Sequence, residues 1–165
     1  FESCRLSLES YSELRIAEIT LDGAKIYAEL ELKSGRMLIH GELLENGSHF
    51  TVTTPHGKAE FVEAGVAVTV DEKSASLQVL SGLAEVSSNG AETQLERGEH
   101  AELAGEKGAP AKLVMDTESL RSTAARLDGI KQIGRDALAL ARAQDSALLE
   151  TDDMFDILDR SGMGN

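Results

Sequence analysis

The chain has 165 residues, enough to bury a sizeable core without covalent staples, and its 29 acidic against 16 basic side chains give a formal net charge of −13. Such a surface repels phosphate backbones and anionic headgroups, which argues against nucleic acid as a partner. Aromatic residues make up 4% and Trp is missing, so the core has to be built from Val, Leu, Ile and Ala in thin, stacked layers.

Cys4 is the single cysteine and can form no internal disulfide. It reads as a small, partly buried hydrophobe, with an intermolecular bridge or a lipid-modified cysteine as the functional alternatives. No apolar run approaches the ~20 residues needed to span a bilayer, so no membrane insertion is expected within this segment. There is no initiator Met and no signal peptide, and the chain reads as a piece of a longer protein.

From Cys4 to about Met115 the sequence is a series of short alternating runs broken by Gly, Asn, Asp or Pro. Strands are predicted over residues 14–21, 24–32, 37–44, 49–54, 59–70, 75–86, 93–95, 100–103 and 112–115. In the second of these, Ile26, Ala28, Leu30 and Leu32 share one face while Lys25, Tyr27, Glu29 and Glu31 share the other, which marks a strand with one face buried. Gly23, Gly35 and Gly47 recur about every twelve residues, with Gly57 close behind, as in stacked strand-turn units of a sandwich, roll or solenoid. The repeat is geometric, since the units share no residue signature.

Residues 105–110 form a loop by composition. Beyond it the period changes. Asp116 or Thr117 can cap a helix, and Leu120, Ala124, Leu127 and Ile130 follow at helical spacing. Gly129 and Gly134 predict a bend or break before helix resumes over 136–149. A β domain over 1–115 and a helical extension over 116–165 follow.

Three segments suggest a family. The run Phe50-x-Val52-x-Thr54-Pro55-x-Gly57 is a strand ended by Pro and turned at Gly. Val79-Leu80-x-Gly82-x-Ala84-x-Val86 is a strand with a kink, and Leu95-x-x-Gly98-Glu99 closes the series. In this order and spacing, over residues 14–103, the chain resembles the FecR domain family. It departs at Glu63-Ala64-Gly65-Val66-Ala67-Val68, where members usually carry Gly-Thr-x-Phe-x-Val, so the local turn is expected to be rebuilt. The resemblance implies a β-roll or short β-solenoid-like or sandwich fold in the bacterial cell envelope, typically periplasmic. The best-known members relay the state of an outer-membrane transporter to a sigma factor and continue into a small α/β domain, whereas this chain continues into helices.

Candidate sites are weak by comparison. His40 and Glu42 lie at i and i+2 on one strand, with His49 and His56 on the next segment, but cupin-like metal spacing is missing, and all of these are read as polar surface or turn residues. His100 is read as an exposed strand residue. Glu60, Glu63 and Glu72 are read as solvated carboxylates rather than a glycosidase pair. Asp152, Asp153, Asp156 and Asp159 lack EF-hand order and are read as a helix start. No nucleophile elbow, zinc-protease helix, phosphate loop or dinucleotide turn occurs, so neither catalysis nor a catalytic, cofactor or metal site is expected. The apolar side of the same C-terminal stretch, Met154, Phe155, Ile157 and Leu158, is the candidate partner-binding surface, or else docks on the β domain.

The expected function is a non-enzymatic interaction or scaffolding module of the cell envelope that binds another envelope protein or a second copy of itself. The alternatives are the periplasmic part of a sigma-factor regulator and a carbohydrate-binding or carbohydrate-acting domain.

Overall fold

The computed structural model describes residues 4–23, 25–41, 47–104, 110–130, and 132–140 apart from 134 and 138. The chain divides into two compact units, Phe1–Ile130 and Lys131–Asn165. The first contains strands β1 (Cys4–Leu8), β2 (Glu13–Asp22), β3 (Lys25–Gly41), β4 (His49–Thr54), β5 (Gly57–Val70), β6 (Ser74–Ser88), β7 (Ala91–Glu96), β8 (Glu99–Ala104) and β9 (Ala111–Val114), followed by helix α1 over residues 117–130. The described residues of the second unit are helical, with Gln132 donating to Asp136 one turn on at 2.8 Å. The protein is mainly β with a helical extension.

Three strands are too long for one flat ladder, and each bends where the backbone adopts a positive φ. The bends are at Gly35 (φ 89°) in β3, Glu63 (φ 51°) in β5 and Gly82 (φ 76°) in β6. Their two halves pair differently. The first ladder runs β2, the first half of β3, β4, the first half of β5, the second half of β6, then β7. The second runs β1, the second half of β3, the second half of β5, the first half of β6, β8, then β9. The β3–β4 pairing is parallel and every other one antiparallel.

Alternation then decides what is buried. Leu30, Val52, Phe61, Val86 and Leu95 of the first ladder join Met37, Ile39, Val66, Val68, Leu77, Val79 and Leu103 of the second in one contiguous core. The sheet therefore folds over on itself. Phe50 and Phe61, directly opposite in the β4–β5 pair, stack with centroids 5.5 Å apart and planes at 12°. The outer face of the second ladder presents Leu38, Ala67 and Leu80, which α1 covers with Leu127, Leu120 and Ile130. Asp116 starts that helix by accepting the backbone N–H groups of Glu118 (3.0 Å) and Ser119 (2.9 Å), as expected of an N-cap. The helix is described through Ile130, one residue past Gly129, while Lys131 and Gly134 lie outside the described residues.

Two differences from the sequence reading have simple causes. The runs 24–32 and 37–44 are one strand up to Gly41, because Gly35 bends the chain and leaves the ladders intact. The tight β6–β7 hairpin is made by Asn89 (φ 53°) and Gly90 (φ 78°), the mirror-image turn that a right-twisted pair prefers, so both strands run further than predicted. At the site of the family departure, β5 stays continuous but shifts register between Val62 and Gly65.

Candidate functional site

The fold is closed on one side and open on the other. At the closed side β7 turns directly into β8 through Gly98, Leu95 is fully buried, and Gly98 N–H bonds the Val79 carbonyl at 2.8 Å. At the open side β1 and β2 are both edge strands, each paired among the described residues with β3 alone. Between them lies a slot of about 410 Å³.

The walls follow from register. Leu14 and Ile16 alternate, a bulge at Ala17 shifts the phase by one residue, and Ile19 and Leu21 resume on the same face. Without the bulge the second pair would point outward. Their partners are Leu32, Leu30, Ala28 and Ile26, so the β2–β3 ribbon has one wholly apolar face. Leu6 of β1, paired with Ile39, supplies the opposite wall, and Phe50 and Ile39 lie at the base. Every lining side chain is a hydrocarbon: Leu6, Leu14, Ile16, Ile19, Leu21, Ile26, Ala28, Leu30, Ile39 and Phe50. Ile16, Ile19 and Leu21 are 58%, 55% and 53% exposed, and no strand or helix among the described residues covers them. The outer face of the ribbon is ionic: Arg15 meets Glu31 at 3.3 Å and Lys33 meets Glu13 at 2.8 Å. The Glu13 carboxylate, bonded to Lys33, holds that ammonium above its ordinary pKa.

A polar clasp fixes one end of the slot. The β1–β2 connection is pinned to Arg36 of β3: Glu9 N–H donates to the Arg36 carbonyl (3.0 Å), Ser12 Oγ donates to the same carbonyl (3.1 Å) and accepts Arg36 N–H (2.9 Å). Glu9 also meets Arg126 of α1 at 2.6 Å and Arg36 at 3.6 Å, and Arg36 donates to Thr123 at 3.4 Å.

The residues singled out from the sequence are dispersed. His40 is the clearest correction: it is 3% exposed, on the helix-facing side of β3 beside Gly65, because its register position alternates with Met37 and Ile39 and shares the face of Leu38. His49 is half-buried on β4, and His56 sits in the β4–β5 turn with its Nε2 3.2 Å from the Asp71 carbonyl. His100 is half-buried on β8 rather than exposed. Glu42 lies outside the described residues. Among the described residues no three His, Cys, Asp or Glu side chains converge as a metal site would require. Glu60, Glu63 and Glu72 fall on the first half of β5, its bend, and the β5–β6 turn. Glu60 is held below the usual carboxylate range chiefly by its hydrogen bond from Lys58. Met154, Phe155, Ile157 and Leu158, with Asp152, Asp153, Asp156 and Asp159, lie outside the described residues, and the side chain of Cys4 is likewise not described. No helix among the described residues is long and apolar enough to cross a membrane.

The slot escaped sequence reasoning, which read the 14–21 run only as a strand and assigned it no site. Its one legible trace was the phase shift at Ala17.

Compared with protein-family models the chain matches none, and it matches no curated protein. Its fold does match solved structures. Two crystal structures of candidate anti-sigma factors from Parabacteroides distasonis ATCC 8503 superpose on 72% of the chain, with TM-scores of 0.58 and 0.52 at 15% and 12% identity. The matched part spans 54% and 63% of those two chains. At that identity, the likeness is one of fold.

Proposed function

We propose that the chain is a protein-interaction module of a signal-transduction regulator in the bacterial cell envelope, binding a partner protein and catalysing nothing itself. The observation that carries this is the slot: a contiguous apolar surface left open between two edge strands is the signature of a surface built to be covered by another chain. The reading is supported by the fold shared with candidate anti-sigma factors and by the FecR-like motifs, which fall at the structurally demanding points of the roll. Pro55-x-Gly57 makes the β4–β5 hairpin, Gly82 bends β6, and Gly98 (φ 85°) turns β7 into β8.

The test is transcriptional. Extra copies of the chain, exported in its native host, are expected to change expression of genes under one alternative sigma factor, and Ile16→Asp with Ile19→Asp to abolish the change. An unaltered transcript profile with the wild-type chain, or the same change with the double variant, overturns the reading.

A further inference from the structure

Taking that reading as its basis, we propose that the slot receives an extended, basic peptide strand of a partner protein, added to the free edge of β2. Two features meet at this place. Along the outer edge of β2 (Glu13–Asp22) the backbone N–H and C=O groups that do not face β3 have no strand beside them among the described residues. Directly under that edge lies the hydrocarbon wall of Ile16, Ile19 and Leu21. A strand laid on β2 satisfies both at once: its backbone continues the ladder, and every second side chain drops over the slot toward Leu6. An acyl chain would fill the slot but leave the edge unpaired, and the lining offers no polar group to hold its carboxylate.

Charge selects the strand's other face. The remaining side chains of the incomer would lie beside Glu18 and Asp22 on the outer face of β2, where Arg15 is already committed to Glu31. Opposite charges across adjacent strands attract and like charges repel, so Lys or Arg is favoured at the alternate positions. The net charge of −13 draws the same strand in from a distance. It also disfavours a second copy, since β2 against β2 would bring Glu18 and Asp22 of one copy close to the same acidic pair of the other.

The experiment titrates the full chain with a synthetic peptide alternating Lys with Val and Ile. Three further peptides carry Glu in place of Lys, the same residues rearranged to helical spacing, or backbone N-methyl groups on alternate residues. Lauric acid and sedimentation of the chain alone complete the set. Expected are binding of the Lys peptide with slowed hydrogen exchange along β2, and affinity roughly tenfold or more weaker for each other peptide. Ile16→Asp and Ile19→Asp each lower affinity by a similar factor, and Glu18→Lys moves the preference toward the Glu peptide. All three positions lie on an exposed strand, and an unchanged circular-dichroism melt shows the variants folded.

Equal binding of the rearranged or N-methylated peptide overturns the proposal. So does lauric acid binding without peptide binding, or a dimer that the Ile→Asp variants dissolve. A slot-dependent transcriptional effect without Lys-peptide binding overturns the strand chemistry and leaves the interaction reading standing. Lys-peptide binding without any transcriptional effect does the reverse.

Discussion

Ser12 and Gly35 share one small space. A Cβ built on Gly35 would lie 2.3 Å from Ser12 Oγ, and the backbone there has φ 89°, so glycine is demanded twice over. Gly35→Ala is expected to destabilise the fold by about 2 kcal/mol or more in urea denaturation. At Gly23 (φ 61°) nothing stands within 4 Å of the added methyl, and the same change should cost only about 1 kcal/mol. Asp116 gives a pH-dependent counterpart. Its carboxylate is held below the ordinary range, first by the hydrogen bond from the Ser119 hydroxyl and then by backbone N–H groups. Its contribution is therefore complete above the unfolded value and disappears as pH falls through the lower, folded one. Helix signal in α1 should weaken below about pH 4. Asp116→Asn, which keeps an acceptor for the backbone, should remove that residue's share of the acid response, and Asp116→Ala should weaken the helix start at neutral pH. At this scale the sequence was read well for the cap and less well for glycine. Gly57 has no positive φ; it is needed because a Cβ would meet the Ser87 carbonyl at 2.6 Å, a contact that only the folded β5–β6 pair creates. Burial of His40 has the same origin, since it depends on α1 covering the outer side of β3.

At the scale of elements, α1 is a short amphipathic helix seated on a sheet, and the spacing of Leu120, Ala124, Leu127 and Ile130 was enough to find its apolar side. Leu127 is its buried apolar anchor among the described residues, packed with Leu38, Ala67, Leu80 and Met115. Leu127→Ala should cost about 2–5 kcal/mol by chemical denaturation. Removing the half-exposed Arg126 from its pair with Glu9 should cost under about 1 kcal/mol. A loss of similar size from both would show that the clasp, rather than the apolar seat, holds the helix. Strand β1 (Cys4–Leu8) was missed because no Gly, Asn, Asp or Pro within it or just before it frames the Cys4-Leu6-Leu8 alternation. The strands after Asp71 were easier: its side chain bonds Lys73 and Ser74 N–H at 2.8 Å each and builds the expected turn.

For the whole molecule, the excess of acid over base costs stability through self-repulsion that salt screens. The melting temperature should rise by a few degrees between about 0.02 and 0.5 M salt. A falling one would mean that the ion pairs on the β2–β3 ribbon outweigh the repulsion. The class of fold was legible because alternation, glycine spacing and the change of period near Asp116 agree with one another. Closure was not: alternation says which side of a strand is apolar and leaves open whether another layer meets it. That is why Ile16, Ile19 and Leu21, equivalent in pattern to buried residues of β3, are more than half exposed. Leu38 and Ile39 are consecutive, yet the first seats α1 and the second forms the slot's base. A single thickness of backbone is the whole partition between the two, so any displacement of that segment is felt on both of its sides at once.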